Sequence, residues 1–154
     1  MEDRERKIEK LIGELTLEEK IGMIHGDGLF RTKGVERLGI PPLKMSDGPM
    51  GVRQEFQNSA WIPAGDSDDY VTYLPSNSAL AATWNREIAE SAGAVLGEEA
   101  RGRGKDVILA PGINIKRSPL CGRNFEYMSE DPYLTGEMAV PLIQGIQSAD
   151  TAAC

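Results

Sequence analysis

The sequence predicts an α/β fold with a parallel sheet. Short apolar runs, typical of strands buried on both faces, alternate with longer segments of helical periodicity. Polar, glycine-rich stretches follow the predicted strands. This alternation is the signature of repeated βα units, in which parallel strands lie side by side and helices pack against them. In barrels built from such units, functional side chains come from the loops that follow the strands.

The first 25 residues predict two helices. TLEE, residues 16–19, fits a capping box, in which Thr16 and Glu19 each accept a hydrogen bond from the other's backbone. A second helix is therefore expected over residues 17–24. Before it, four aliphatic residues recur with the spacing i, i+3, i+4, i+7, which predicts one apolar face of a helix over residues 2–15. These four residues are Ile8, Leu11, Ile12 and Leu15.

Three short strands are expected. The first covers residues 43–46, the second covers residues 107–110, and residues 151–154 are expected to begin the third. The first is followed by the sharp turn Asp47-Gly48-Pro49. Residues 54–73 show no clean periodicity and are rich in Gly, Asp, Ser and Pro. They predict a long irregular loop, and such loops inside compact domains are often functional.

Two long helices and one turn of helix complete the pattern. Asn85 is predicted to cap a helix that runs to about residue 103. Asp131, followed by proline in the first turn, is predicted to cap a helix that runs to about residue 147. Residues 77–82 predict a turn of helix. The residues predicted to face inward on the first long helix are Ile88, Ala89, Ala92, Val95, Leu96 and Ala100.

Composition and charge disfavour several classes of protein. The 154 residues are 40% hydrophobic and 27% charged, as in an ordinary soluble globular protein. The net charge of −7 disfavours a nucleic-acid surface, which needs clustered Lys and Arg. RGRGK, residues 101–105, is interpreted as a solvated helix end, with a phosphate contact as the alternative. No window approaches the roughly 18 apolar residues of a membrane span.

The expected compartment is the cytoplasm. The first residues are charged, without the apolar core and cleavage site of a signal peptide. Two cysteines, Cys121 and Cys154, indicate no disulfide framework. His25 has no second ligand at metal-binding spacing, which disfavours a metal site. The motifs of a G-x-S-x-G nucleophile and of a phosphate-binding loop are also absent from the sequence.

Two loop residues are the strongest candidates for a binding site. Asp47, in SDGP, could accept hydrogen bonds from two adjacent hydroxyls of one sugar ring, or it could cap its own turn. Arg123, in GRNFE, could donate to a sugar hydroxyl, or it could form a structural ion pair with Asp47 or Glu126. Arg53 is expected to brace the SDGP turn, and Glu126 is expected to orient Arg123.

The other polar and aromatic candidates are weaker. Glu130 has no assigned role, and Asp131 is interpreted as the helix cap. Trp61 and Trp84 are each interpreted as either core residues or platforms on which a sugar stacks. Trp61 is the better platform candidate, because its neighbourhood is predicted to be an exposed loop.

The sequence resembles the N-terminal part of a glycoside hydrolase family 3 enzyme of the β-glucosidase type. The resemblance covers essentially the whole chain, and GRNFEYMSEDP in order after SDGP is its most specific part. The matching stretches are LTLEEKIGMIHG (15–26), LGIPPLKMSDGPMGVR (38–53), LPSNSALAATWN (74–85), LAPGINIKRSPLCGRNFEYMSEDPYLTG (109–136) and LIQGIQS (142–148).

The resemblance implies both a fold and a function. The fold is the first part of a (β/α)8 barrel of the TIM type, incomplete in this chain, with an α/β sandwich as the family's second domain. The function is release of single sugars from the non-reducing ends of β-linked glycosides, with retention at the anomeric carbon. Asp47 would bind hydroxyls in the innermost sugar subsite, and Arg123 would belong to the same subsite. A β-glucoside or related glycoside is the implied partner, with no metal or organic cofactor.

The same resemblance places the catalytic groups outside this sequence. The family continues with a Lys-His-Phe motif that grips the sugar and a Ser-Asp-Trp motif that carries the nucleophile, and its general acid lies in the second domain. Neither motif occurs here. Retaining chemistry needs two carboxyl groups about 5–5.5 Å apart. We therefore expect a chain truncated before the nucleophile, inactive and marginally folded alone.

The sequence leaves two alternatives to the N-terminal part of a longer hydrolase. One is a non-catalytic fragment or module that assembles with a complementary chain carrying the remainder of the enzyme, because a partial barrel exposes apolar faces. The other is a free-standing sugar-binding protein. The sequence favours it less, because half a pocket makes few contacts with a sugar.

Overall fold

A computed structural model describes residues 2–65 and 70–154. Single-turn 3-10 helices occur at Glu36–Leu38 and Asn124–Glu126, and neither was predicted. The helices are α1 (Glu2–Glu14), α2 (Leu17–Met23), α3 (Asn77–Ala81), α4 (Arg86–Gly102) and α5 (Pro132–Ser148), and the strands are β1 (Met45–Asp47), β2 (Val107–Leu109) and β3 (Ala152–Ala153).

The three strands form one parallel sheet in the order β1-β2-β3, which confirms the predicted βα pattern. Strand β1 begins two residues later than predicted and includes Asp47. Leu43, ahead of the strand, accepts through its carbonyl from the Thr32 amide at 3.0 Å. The register sets Asp47 beside Leu109, so β1 and β2 end at the same edge of the sheet.

Helices α4 and α5 pack against each other at unusually short distance. A Cβ added at Gly93 would lie 2.1 Å from the Leu142 carbonyl oxygen, and one added at Gly145 would lie 2.1 Å from the Glu90 carbonyl oxygen. The two backbones therefore touch where side chains are absent. Around this contact lies the buried core, which includes Leu80, Ala89, Leu96, Ala100, Ile108, Met138, Leu142 and Ile146.

The predicted inward face of α4 is partly wrong. Ala89, Leu96 and Ala100 are buried as expected, but Ile88 is 46% exposed and Val95 is also exposed. Their places in the contact are taken by Gly93 and by its neighbour one turn later, Gly97. The periodicity of apolar side chains predicts which face of α4 is apolar. Helix α5, however, packs against the part of α4 where the side chains are smallest, at Gly93 and Gly97.

Helix α2 begins as predicted. The Glu19 amide donates to the Thr16 hydroxyl at 3.2 Å, and the Thr16 amide donates to the Glu19 carboxylate at 2.9 Å. The Arg37 guanidinium also donates to this carboxylate at 2.6 Å, and these hydrogen bonds lower the pKa of Glu19 to about 2. The capping box is confirmed.

The apolar face predicted on α1 forms, but it is not buried. Ile8 and Ile12 are exposed, and Leu11 and Leu15 are only half-buried. On α2, Leu17 and Ile21 are exposed as well. Within the described part of the chain these apolar side chains are therefore left largely uncovered.

The irregular loop predicted over residues 54–73 is confirmed for 54–65 and 70–73, and residues 66–69 lie outside the described residues. An antiparallel bridge between Phe56 and Pro63 closes its first half. Across residues 2–65 and 70–154, no helix combines the length and apolarity that crossing a bilayer requires.

Candidate functional site

A cavity of about 340 Å³ opens where β1 and β2 end, within the size range of small-ligand pockets. Three segments surround it, which we call the cavity wall. The first is the turn over residues 47–53, the second is the stretch over residues 71–73, and the third is the loop over residues 123–126. Strand β1 ends at Asp47, in the first of these segments.

Asp47 is the last residue of β1 and lines the cavity. Its Oδ1 accepts from the Gly48 amide at 3.0 Å, and its carbonyl accepts from the Arg53 amide at 2.9 Å. The turn thereby fixes the carboxylate in place. Oδ2 has no hydrogen-bond donor among the described residues, so it remains available to accept from a ligand hydroxyl.

Two glycines make this turn possible. Gly48 has φ +131°, and a Cβ there would lie 1.7 Å from the Gly51 carbonyl oxygen. Gly51 has φ +143°, and its Cβ would lie 2.6 Å from the Thr72 carbonyl oxygen. Residues with a side chain rarely adopt these backbone angles. The sequence DGPMG therefore folds into a turn whose shape aims Asp47 at the cavity.

Arg123 and Glu126 form an ion pair on the opposite segment of the wall. The Arg123 side chain is 69% exposed, whereas that of Glu126 is only 11% exposed. Arg123 Nε donates to Glu126 Oε1, and this hydrogen bond raises the pKa of Arg123 above its usual range. The partner of Arg123 is thus Glu126 rather than Asp47. Its guanidinium keeps further N–H donors for a ligand.

The loop that carries this pair rests on helix α3. Asn77, buried, donates through Nδ2 to the Glu126 carbonyl at 2.8 Å. Ser78 donates to the Tyr127 carbonyl at 2.9 Å, and Lys116 donates to the Ser78 hydroxyl at 2.6 Å. These contacts fix the backbone on which Arg123 is mounted. Sequence reasoning missed them, because no local pattern links residues 49 positions apart.

Comparison with known proteins decides the family. Residues 27–154 match the model of the glycosyl hydrolase family 3 N terminal domain. The chain belongs to glycosyl hydrolase family 3. The beta-glucosidase BoGH3A of Bacteroides ovatus is 50% identical over 150 residues, which are 97% of this chain and 20% of that protein. The thermostable beta-glucosidase B of Acetivibrio thermocellus is 49% identical over 147 residues, 96% of this chain and 19% of that protein.

The fold agrees with solved structures of family 3. The structure of beta-glucosidase 3B from Thermotoga neapolitana in complex with alpha-D-glucose matches with a TM-score of 0.85 at 43% identity. The match covers 96% of this chain and 22% of that one. The chain therefore spans about a fifth of the length of the curated relatives it matches.

Arg53 takes a position in this family 3 chain that the sequence did not predict. Its backbone amide closes the Asp47 turn, as described above. Its guanidinium, however, lies over the ring of Phe30 at 3.8 Å and near Phe56 and Trp61 at 4.9 and 5.0 Å. These are cation–π distances. The three aromatic rings thus hold the Arg53 side chain at the edge of the cavity. Arg53 is itself one of the residues that line this cavity.

The two tryptophans are not core residues. Trp84 is 74% exposed, and Trp61 is exposed while contacting Phe30 and Phe56 edge to face at 5.8 and 5.4 Å. Trp61 is not among the residues that line the described cavity. It therefore supports Arg53, and its predicted role as a sugar platform finds no cavity contact.

The remaining predicted residues lie away from the cavity. Asp131 accepts from the Tyr133 amide at 2.9 Å, which confirms it as the cap of α5. Glu130 is exposed. His25 is exposed, with Nδ1 at 2.8 Å from the Gly26 carbonyl oxygen. In RGRGK, Arg101 pairs with Asp150 at 2.8 Å, so this helix end is held by ion pairs rather than only solvated.

Proposed function

We propose that this chain is part of a retaining β-glycosidase that releases single sugars from the non-reducing ends of β-glycosides. The observation that carries the proposal is the placement of Asp47 and Arg123 on facing segments of one cavity. A carboxylate that accepts and a guanidinium that donates can together bind the hydroxyl groups of one sugar ring. The names of the relatives support a glucoside as the substrate.

Within this proposal the chain binds and orients the sugar. Asp47, fixed by its turn, accepts from ring hydroxyls through its open oxygen. Arg123 donates from the other side, and Glu126 keeps the guanidinium in place. Because Glu126 is engaged with Arg123, and Asp47 with the Gly48 amide, neither residue is proposed as nucleophile or general acid.

The catalytic pair of carboxyl groups is proposed to lie in sequence beyond these 154 residues. Retention needs a nucleophile and an acid–base group about 5–5.5 Å apart, one on each side of the anomeric carbon. The parallel sheet β1-β2-β3 is proposed to be the first part of a TIM-type barrel. The cytoplasmic location expected from the sequence belongs to the same proposal.

Replacement of Asp47 in the complete polypeptide tests this function. Asp47→Ala should lower kcat/KM for an aryl β-glucoside by about 10²- to 10⁴-fold, since it removes two charge-assisted hydrogen bonds of about 1.5–3 kcal/mol each. Glu130→Ala is the control, because it removes an exposed carboxylate that follows the third segment of the cavity wall. It should leave kcat/KM near the wild-type value. Wild-type kinetics for Asp47→Ala would refute the assigned subsite.

The exposed apolar side chains of α1 and α2 favour a second candidate. The chain would be a non-catalytic module that assembles with a complementary chain carrying the remainder of the enzyme. The intact mass of the native protein under denaturing conditions separates the two candidates. A species near 16.8 kDa would favour the module, and a much heavier species would favour the single-chain hydrolase.

A further inference from the structure

The second segment of the cavity wall lies within residues 70–74, an extended stretch without helix or strand, which we call the strap. Val71, Thr72 and Tyr73 all line the cavity. The strap faces the same space as Asp47 and Arg123, so its position helps to set the shape of that space. The sequence predicted only an irregular loop here.

Helix α4 holds the strap by hydrogen bonds to a single carboxylate. The Thr72 amide donates to both oxygens of Glu99, at 3.1 and 3.0 Å. The Thr72 hydroxyl donates to Oε1 of the same residue at 2.6 Å. One turn later on the helix, Arg103 donates to the Tyr70 carbonyl at 2.9 Å. Glu99 and Arg103 thus fix the strap at two points.

The other side of the strap lies against the turn that carries Asp47. The Leu74 amide donates to the Met50 carbonyl at 2.8 Å. The Thr72 carbonyl oxygen approaches Gly51 so closely that a Cβ there would lie 2.6 Å away. The strap is therefore the layer between α4 and the Asp47 turn, and a shift of Thr72 changes the contact with that turn.

Apolar burial alone does not position the strap. Tyr70 is exposed and Tyr73 is 81% exposed, while Val71 and Leu74 are only partly buried against the core. A segment with few buried apolar contacts depends on its hydrogen bonds for a fixed position. Of those hydrogen bonds, the set on Glu99 is the largest and the only one with a charged acceptor among the bonds described above.

We propose that Glu99 is a positioning residue for the sugar-binding cavity. It does not touch the ligand. It acts through Thr72, holding the strap in the position in which residues 71–73 line the cavity with Arg123. This inference rests on the proposed function for its kinetic consequence, but the tether itself can be tested without any substrate.

The first measurement is amide hydrogen exchange in the complete polypeptide. Glu99→Ala should increase the exchange rate of the Thr72 amide about tenfold or more, because the acceptor of that amide is lost. Glu98→Ala is the matched control, since it removes an equal charge from the adjacent, exposed position of α4. It should leave the Thr72 rate unchanged. An unchanged Thr72 rate in Glu99→Ala would overturn the inference.

The second measurement separates positioning from stability. Glu99→Ala should raise KM for an aryl β-glucoside about tenfold with kcat changed less than about twofold, as loss of binding contacts predicts. Glu99→Gln, which keeps one carbonyl acceptor for Thr72, should give an intermediate KM. The thermal unfolding midpoint should stay at the wild-type value in Glu99→Ala, Glu99→Gln and Glu98→Ala.

The outcomes distinguish this inference from the proposed function. If the wild-type polypeptide hydrolyses no β-glycoside, the proposed function fails and the kinetic part of the inference fails with it. If the wild type is active and Glu99→Ala keeps the wild-type KM while Thr72 exchanges faster, only the inference fails. A KM that rises equally in Glu98→Ala would also overturn it.

Discussion

The α4–α5 helix pair and the cavity wall are stabilised by opposite means. The helices meet through glycine and buried apolar side chains, with backbone atoms of one helix against those of the other. The wall consists of loops held by hydrogen bonds, an ion pair and backbone angles reserved for glycine. The difference teaches that substitutions in the helix pair should change stability, whereas substitutions in the wall should change binding.

The largest expected effect tests the helix pair. Gly145→Ala should lower the free energy of unfolding by at least about 2 kcal/mol, because the new methyl group would lie 2.1 Å from the Glu90 carbonyl oxygen. Gly136→Ala, on the same helix, meets no atom within 4 Å and should instead raise it by about 0.5–1 kcal/mol. Urea unfolding measures both. Equal stabilities would contradict the close packing.

A smaller effect tests the wall. Glu126→Gln weakens the contact that orients Arg123, so KM for an aryl β-glucoside should rise about tenfold in the complete polypeptide. The free energy of unfolding should change little, since Arg123 is exposed and water screens its ion pair. Glu130→Gln is the control. A large loss of stability without a change in KM would show that the ion pair stabilises the fold and does not position Arg123 for binding.

The smallest effect concerns an exposed site outside both regions. The pKa of Glu19 is lowered to about 2, chiefly by its hydrogen bond with Arg37. Because the folded-state pKa lies below the ordinary value of 4.5, the carboxylate's contribution is present above about pH 4.5 and is lost as pH falls toward 2.

Carboxyl NMR titration checks this value. The Glu19 midpoint should lie near 2 in the wild type and should move toward 4.5 in Arg37→Ala. A Glu19 midpoint that is equal in both proteins would show that Arg37 does not set the pKa.

Local signals account for the parts of the fold that sequence reasoning predicted. The capping box at Thr16, the cap at Asp131 and the apolar run at β2 each depend on residues close together in the chain. The exposed faces could not be predicted in the same way. Ile88 and the α1 residues follow helical periodicity, but periodicity does not say whether another element covers them.

The candidate site divides along the same line. Asp47 and Arg123 could be placed in one cavity, since strand ends in a parallel sheet share an edge. The contact of Arg53 with Phe30, and the tether of Thr72 to Glu99, join segments that no short motif connects. Their detection required the three-dimensional structure.

The support of the Arg123 loop by helix α3 has a consequence for how specificity can evolve. Asn77 and Ser78 hold the backbone of Glu126 and Tyr127, yet neither lines the cavity. A substitution in α3 would tilt the arginine without altering any residue that contacts the ligand. Laboratory selection for a different sugar thus has a remote route available, through five residues of helix that a search confined to the pocket would omit.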